Sequence, residues 1–261
     1  MTLAVGIVTP RGLVIAADGL MTFGTVQVPT QKVHAVGQTY GIGLSGNANM
    51  IDLAVRALQA CPLALDLPHA RTIADATNVA RAALQTATMQ YLGSVAWVTT
   101  MPVDSQIGSA ALLFGGLCSD GPFLAVLDNR GNVHPLAQPH YHAIGSAHDA
   151  ALVLLRAYAA YDYAVHPLDT SVLLAKRVID QVSAAIPAIG GQVSVLAISH
   201  QAPPQGQHLR LIDPTSPLVQ DGLTTWQLLE GEMFADLAAW TSNPPTGACA
   251  GGPGPATDPG A

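Results

Sequence analysis

Charge is what this 261-residue chain has least of. Asp, Glu, Lys and Arg make up 10% of it, against about 25% in ordinary soluble proteins. Lysine occurs only as Lys32 and Lys176, and the net charge is −7. A nucleic-acid partner needs a basic patch facing its phosphates, so that class is disfavoured. Cysteine is scarce as well: Cys61, Cys118 and Cys249 stand at no metal-ligand spacing. An odd, sparse count reads as reduced thiols in a cytoplasmic protein. Long apolar runs are missing despite a mean hydropathy of +0.35. Stretches such as 110–117 are broken by glycine before the roughly 18 residues that a membrane helix requires, so no membrane partner is expected. No Gly-x-x-x-x-Gly-Lys-Ser/Thr phosphate loop occurs, and any ATP-driven step would belong to a separate partner. The first residues carry no charged n-region and are interrupted by Gly6, Pro10 and Arg11. They do not read as a signal peptide, and the mature chain is expected to begin at Met1 or, after Met removal, at Thr2.

What the chain does have is apolar surface, 49% of residues. Large subunit interfaces are the natural place for the excess, so an obligate oligomer is expected. The order of elements is equally informative. Residues 2–9 and 12–17 are rich in Val, Ile and Leu around a Pro10-Arg11-Gly12 turn, which predicts a hairpin starting at the second residue. Short strands are predicted at 26–28, 33–36 and 39–45. A helix follows Gly46-Asn47, with Met50, Ile51, Leu53, Ala54 and Leu58 at helical spacing, and a second, alanine-rich helix spans 72–91. Residues 93–109 read as irregular. Strands return at 110–117, 123–128, 132–136 and 141–144. Ser146-x-x-Asp149 looks like a capping box opening a helix to about residue 163. A further helix spans 169–186, strands span 193–199 and 208–212, and a last helix spans 223–240. Residues 243–261, with five Pro and five Gly, read as a disordered tail. Strands and helices come in blocks, which predicts an antiparallel α+β layering.

The hairpin makes a geometric prediction. With the turn centred between Pro10 and Arg11, facing residues have numbers summing to about 21. Thr2 then lies near Asp18 across the ladder, so a chain-terminal hydroxyl and a carboxylate meet through local structure alone.

With these features on record, the sequence resembles the proteasome β-subunit family of N-terminal-nucleophile hydrolases. The segments that carry the resemblance are TLAVGIVTPRGLVIAADGLMTFG (2–24), QKVHAV (31–36), GIGLSGNA (41–48), AIGSAHDAALVLL (143–155) and GGQVSVLAIS (190–199). AADGLMTFG is also similar to the HslV peptidase, and the C-terminal extension to beta-proteobacterial proteasome homologues. The resemblance implies a four-layer αββα sandwich over 1–212, a C-terminal extension with a helix over 213–242 and the tail over 243–261. It implies that Thr2 is the nucleophile, that Asp18 and Lys32 assist it, that the Gly46 N–H stabilises the oxyanion and that Ser146 joins the site. It implies that the backbone at Thr22 aligns the substrate as an added strand. The implied product is a threonine endopeptidase in stacked homo-oligomeric rings, hexameric or heptameric with the heptamer favoured. Its substrate would be peptide or unfolded protein, fed by an ATPase unfoldase, with no metal or organic cofactor.

Physical chemistry supports these roles. A threonine hydroxyl needs a base, and a free α-amine with a pKa of about 8 serves. A Lys32 cation would favour the deprotonated amine and hydroxyl. Other roles compete. Asp18 could end a strand, Ser146 could be only a helix cap and Gly46 only a strand-to-helix turn. His134, His140, His142 and His148 cluster in sequence, yet no third ligand has diagnostic metal spacing. Where the family has Asp-x-x-Ser before the late Gly-Gly, this chain has Ile186 and Ile189. That departure motivates one alternative, a non-catalytic ring scaffold. Another is an amidase acting on a small-molecule amide.

Overall fold

The computed structural model describes residues 2–23, 26–95, 110–128, 132–135, 140–158, 168–201, 208–213, 215–216 and 219–224. The chain forms two units, Met1–Ser216 and Pro217–Ala261. The second is described only over 219–224, which is helical. That helix starts earlier than the sequence pattern indicates; the rest of the expected 223–240 helix and the 243–261 tail lie outside the described residues.

The first unit opens with the expected hairpin, β1 (Leu3–Thr9) and β2 (Gly12–Ala17). Its register runs from Ala4↔Ala17 to Thr9↔Gly12, so partners sum to 21 throughout. These strands show no polar alternation because both faces are covered, and a strand buried on both sides must be apolar at every position. β10 (Tyr141–Gly145) pairs with β1, while β11 (Ser194–Ser199) pairs with β2 and with β12 (Leu209–Ile212). The first sheet therefore has the order β10-β1-β2-β11-β12.

The second sheet, β5-β6-β7-β8-β9, is antiparallel between every pair of neighbours. It comprises β5 (Val33–Val36), β6 (Tyr40–Ser45), β7 (Ala111–Cys118), β8 (Gly121–Asp128) and β9 (Val133–Pro135). A buried apolar layer that includes Ala4, Ile15, Leu113, Leu124 and Leu196 lies between the two sheets. Helices α1 (Ala48–Ala60) and α2 (Ile73–Val95) cover the second sheet over a core containing stacked Tyr40 and Phe114. Helices α3 (His148–Tyr158) and α4 (Leu168–Ala185) cover the first. The result is the expected α+β sandwich of two antiparallel sheets between helical layers.

Three local expectations are corrected. α2 continues to Val95, so 93–95 are helical, because no breaker stronger than Gly93 interrupts its packing; 96–109 lie outside the described residues. α3 begins at His148, not at Ser146: Ala151 N–H donates to Ala147 O, which places the first helical carbonyl one residue beyond Ser146. The expected continuation of this helix to 163 falls outside the described residues after 158. Finally, the segment after Asp18 forms a hairpin of its own, β3 (Leu20–Phe23) with β4 (Val26–Pro29). β3 was hidden because Leu20-Met21-Thr22-Phe23 has neither clear alternation nor a turn residue before it other than Gly19.

Candidate functional site

Thr2 sits where β1 begins, Asp18 where β2 ends and Lys32 just before β5, so two sheets converge on one corner of the sandwich. The hairpin register continues past the last strand pair. Asp18 N–H donates to Leu3 O at 3.0 Å, and Leu3 N–H donates to Asp18 Oδ1 at 2.8 Å. Leu20 N–H reaches Asp18 Oδ2 at 3.4 Å. The carboxylate is fully buried, and these amide donors satisfy part of its hydrogen-bonding capacity.

Lys32 is buried beside it, its Nζ 2.7 Å from Asp18 Oδ1. The backbone of Lys32 is anchored on β6 by Leu44 N–H donating to Lys32 O at 3.0 Å. An ammonium has three donors, and each has an acceptor here: Asp18 Oδ1, the Leu20 carbonyl oxygen and Thr2 Oγ1, the last at 3.5 Å. Burial pulls the Lys32 pKa below the ordinary lysine value, and the hydrogen bond and charge of Asp18 oppose that pull. The lysine thus stands in contact with the threonine hydroxyl in a dry setting where electrostatics is strong.

On the other side of Thr2, its backbone nitrogen donates to Ser146 Oγ at 3.2 Å. While Met1 is attached this nitrogen is an amide, and its removal converts it to an α-amine at the same place. Ser146 therefore contacts the threonine backbone and does not cap α3. Gly145, just before it, has φ 107°, and an added Cβ would collide with the Thr2 carbonyl oxygen. Only glycine lets β10 approach the chain start this closely.

Gly46 (φ 127°) follows β6 and precedes Asn47, whose side chain accepts from Asn49 and Met50 N–H to cap α1. It borders a cleft of about 560 Å³ together with Thr2, Met21, Ser45, Ser146 and His148. The positive end of α1 lies next to this turn, a place that favours developing negative charge. Thr22 lies in β3 opposite Gln27; among the described residues no strand pairs with the second edge of β3.

Thus Lys32 joins Thr2 to Asp18, Ser146 and Gly46 border the same cleft, and Thr22 lies on β3 next to Met21, which also borders it. Ile189 is buried and Ile186 half-buried, so neither supplies a polar group to the threonine. Two features of the site were not legible in the residue order. The Leu20 carbonyl as a lysine acceptor is a backbone group with no residue-type signal. His142 and His148 line the cleft, and their only signal was a run of histidines that fits no ligand motif. Among the described residues no group of three His, Cys, Asp or Glu is placed to hold a metal.

No family model and no curated relative matches the chain. Solved structures do. The chain is similar to a Gly-1 mutant of Anbu from Hyphomicrobium sp. strain MC1, with 16% identity and a TM-score of 0.65. It is similar to Anbu (ancestral beta-subunit) from Yersinia bercovieri, with 18% identity and a TM-score of 0.66. A further Anbu structure from Hyphomicrobium sp. strain MC1 matches at 15% identity and a TM-score of 0.62. Each match covers 90% of this chain and 97% of the other. These findings correct the resemblance to proteasome β-subunits, to HslV and to the beta-proteobacterial homologues. The segments behind it encode an N-terminal hairpin, a buried Asp–Lys pair and a strand-to-helix turn. Those features follow from the geometry of the fold and do not separate its branches. At such identities the likeness carries the architecture alone: this chain has the layered α+β fold that the Anbu structures display.

Proposed function

We propose that this chain is a threonine-type peptidase subunit of a ring-forming complex, with Thr2, freed by removal of Met1, as its nucleophile. The observation that carries the proposal is the chain of contacts from Thr2 Oγ1 to Lys32 Nζ at 3.5 Å and on to the buried Asp18 at 2.7 Å. A buried ion pair is a poor stabilising device, whereas one aimed at a chain-terminal hydroxyl has a use in catalysis.

In this mechanism the α-amine of Thr2 takes the hydroxyl proton, directly or through a water. Oγ1 attacks a peptide carbonyl carbon while Lys32 stabilises the growing alkoxide character. The Gly46 N–H beside the α1 start offers a donor to the oxyanion. The C–N bond breaks, the leaving amine receives the proton and an acyl ester remains on Thr2. Water activated by the same amine hydrolyses that ester and restores the hydroxyl. Ser146 Oγ positions the amine, and a substrate strand aligns along the free edge of β3 at Thr22.

Self-assembly is supported by the low charge content and by exposed apolar side chains on the first unit. Leu65, Leu67, Met89 and Val153 are each at least 65% exposed, a surface that calls for cover. A separate ATPase would deliver folded substrates. Intact-protein mass spectrometry with and without a peptide epoxyketone tests the proposal, since that reagent closes its ring adduct only on a residue bearing both a free amine and a hydroxyl. A mass lacking Met1 with one adduct on Thr2 supports it; a free Thr2 that never reacts overturns it.

A second reading rests on Ile186 and Ile189. The late loop beside β11 supplies apolar side chains where a catalytic site of this design benefits from polar ones, which favours an assembled ring without useful turnover. Assembly of native size combined with an unreactive Thr2 selects this reading.

A further inference from the structure

Beyond the Thr2–Lys32–Asp18 chain, the cleft has a second polar wall. In β10, Ile144 points into the layer between the sheets, so His142, two residues earlier, faces the same way and opens onto the edge of the sandwich. It is half-buried and borders the cleft with His148. The His148 ring is fixed by its own backbone: Nδ1 donates to Gly145 O at 2.8 Å. His134 approaches from β9 of the opposite sheet closely enough for its charge, like that of His148, to act on His142. Two imidazoles thus border a cleft that begins at Thr2, with His134 acting on one of them from outside it, and no lysine or arginine is among the lining residues.

We infer that His142 and His148 form a carboxylate-binding rim of this cleft and select peptides that carry Asp or Glu beside the scissile bond; the inference rests on Thr2 being the nucleophile. Imidazole N–H groups donate to carboxylates, and the bond strengthens when the ring is charged. Burial, then the charges of His148 and His134, hold the His142 pKa below its ordinary value. A carboxylate entering beside the rings favours their charged form, so its binding is coupled to uptake of a proton from water and acid preference grows as pH falls.

The groups that act on His142 are few. β1 carries no titratable side chain, β6 and β7 contribute Tyr40 and Cys118 at the ends of their strands away from Ser45 and Ala111, and β8 contributes Asp128, paired with Ala111. α3 contributes His148 and Asp149, and β9 contributes His134. Asp149 Oδ1 lies 3.3 Å from His148 Nε2, but its side chain is 92% exposed. A pair that open to water is weak, and a substrate carboxylate held in the cleft replaces it.

The test uses matched quenched-fluorescent peptides differing only by Glu or Gln at each position flanking the cut. Cleavage sites are read by mass spectrometry, and epoxyketone labelling of Thr2 is followed in the same preparations. The expected result at pH 6 is a Glu-to-Gln rate ratio of about ten, the size of one charge-assisted hydrogen bond. The ratio should fall toward one at pH 8, and also in His142→Gln or His148→Gln at pH 6. Because it is a ratio within one preparation, partial misfolding of a variant does not alter it. If Thr2 is labelled but the Glu and Gln peptides are cut equally, or are not cut, the inference is overturned and the nucleophile stands. A ratio that survives both histidine substitutions overturns it too. If Thr2 is neither labelled nor active, the proposed function fails and takes this inference with it.

Discussion

Asp18 and Lys32 meet at 2.7 Å with side chains 0% and 1% exposed, and their remaining hydrogen bonds go to Thr2, Leu3 and Leu20. The ammonium cannot rotate away from the threonine hydroxyl without giving up the Asp18 carboxylate or the Leu20 carbonyl. Preorganisation of this kind lets a weak nucleophile react without reordering its surroundings.

Removing one partner of the pair should be costly. Lys32→Met strands a buried carboxylate and is expected to lower stability by about 3–5 kcal/mol. Pairing it with Asp18→Asn should recover part of that loss. Urea unfolding of the two single variants and the double variant measures the coupling; a double variant as destabilised as the sum of the singles would refute it.

Thr2 itself should be indispensable to chemistry and nearly irrelevant to folding. Thr2→Ala is expected to cut peptide turnover by about three orders of magnitude or more while particle size and melting temperature stay near native. Thr2→Ser keeps both amine and hydroxyl and should retain measurable activity. Fluorogenic peptide assays alongside light scattering check both; equal turnover in wild type and Thr2→Ala excludes the mechanism.

The pH profile should be bell-shaped. The amine accepts a proton only when neutral, and the nearby Lys32 charge draws its pKa below the ordinary value of about 8, so the rate climbs on the acid side. Burial lowers the Lys32 pKa from its ordinary 10.5, so the cation is lost, and the rate falls, before that value is reached. The sign for stability is opposite. Between the lowered native value and 10.5 the unfolded chain binds the proton that the native chain has released, so Lys32 favours the native state more as pH rises and less as pH falls through the native value. An alkaline loss of kcat/KM without loss of fold is the expected signature; a flat profile from pH 6 to 10 contradicts it.

Gly145 sets the distance between β10 and the chain start. Gly145→Ala places a Cβ against the Thr2 carbonyl oxygen at φ 107°, and backbone strain of about 1–3 kcal/mol is expected. The displaced threonine should label more slowly with an epoxyketone than wild type does. Wild-type labelling combined with wild-type stability would show that the approach is not tight.

Much of this could be read from residue order. The Pro10-Arg11 turn fixed the register of β1 and β2, and the register brought Asp18 to the chain start, because a hairpin is a local object whose pairing follows from its turn. The strand blocks and helix blocks likewise announced two antiparallel sheets under helices. Ser146 was ambiguous for a physical reason: a serine before a helix looks the same whether its hydroxyl faces the first turn or a neighbouring strand. The motifs also pointed past the correct relatives, since they describe a shared geometry.

By itself, then, the sequence determined the hairpin, the layering and the identity of the residues at its first corner, through turn chemistry and burial periodicity that act over a few residues. Only the tertiary structure decided that Lys32 reaches Thr2, that Leu20 supplies the third acceptor, that Ser146 holds the Thr2 nitrogen and that His142 and His148 border the same cleft. Those contacts join residues from separate strands and both sheets. Their distances depend on how the sheets pack face to face, which no local pattern encodes.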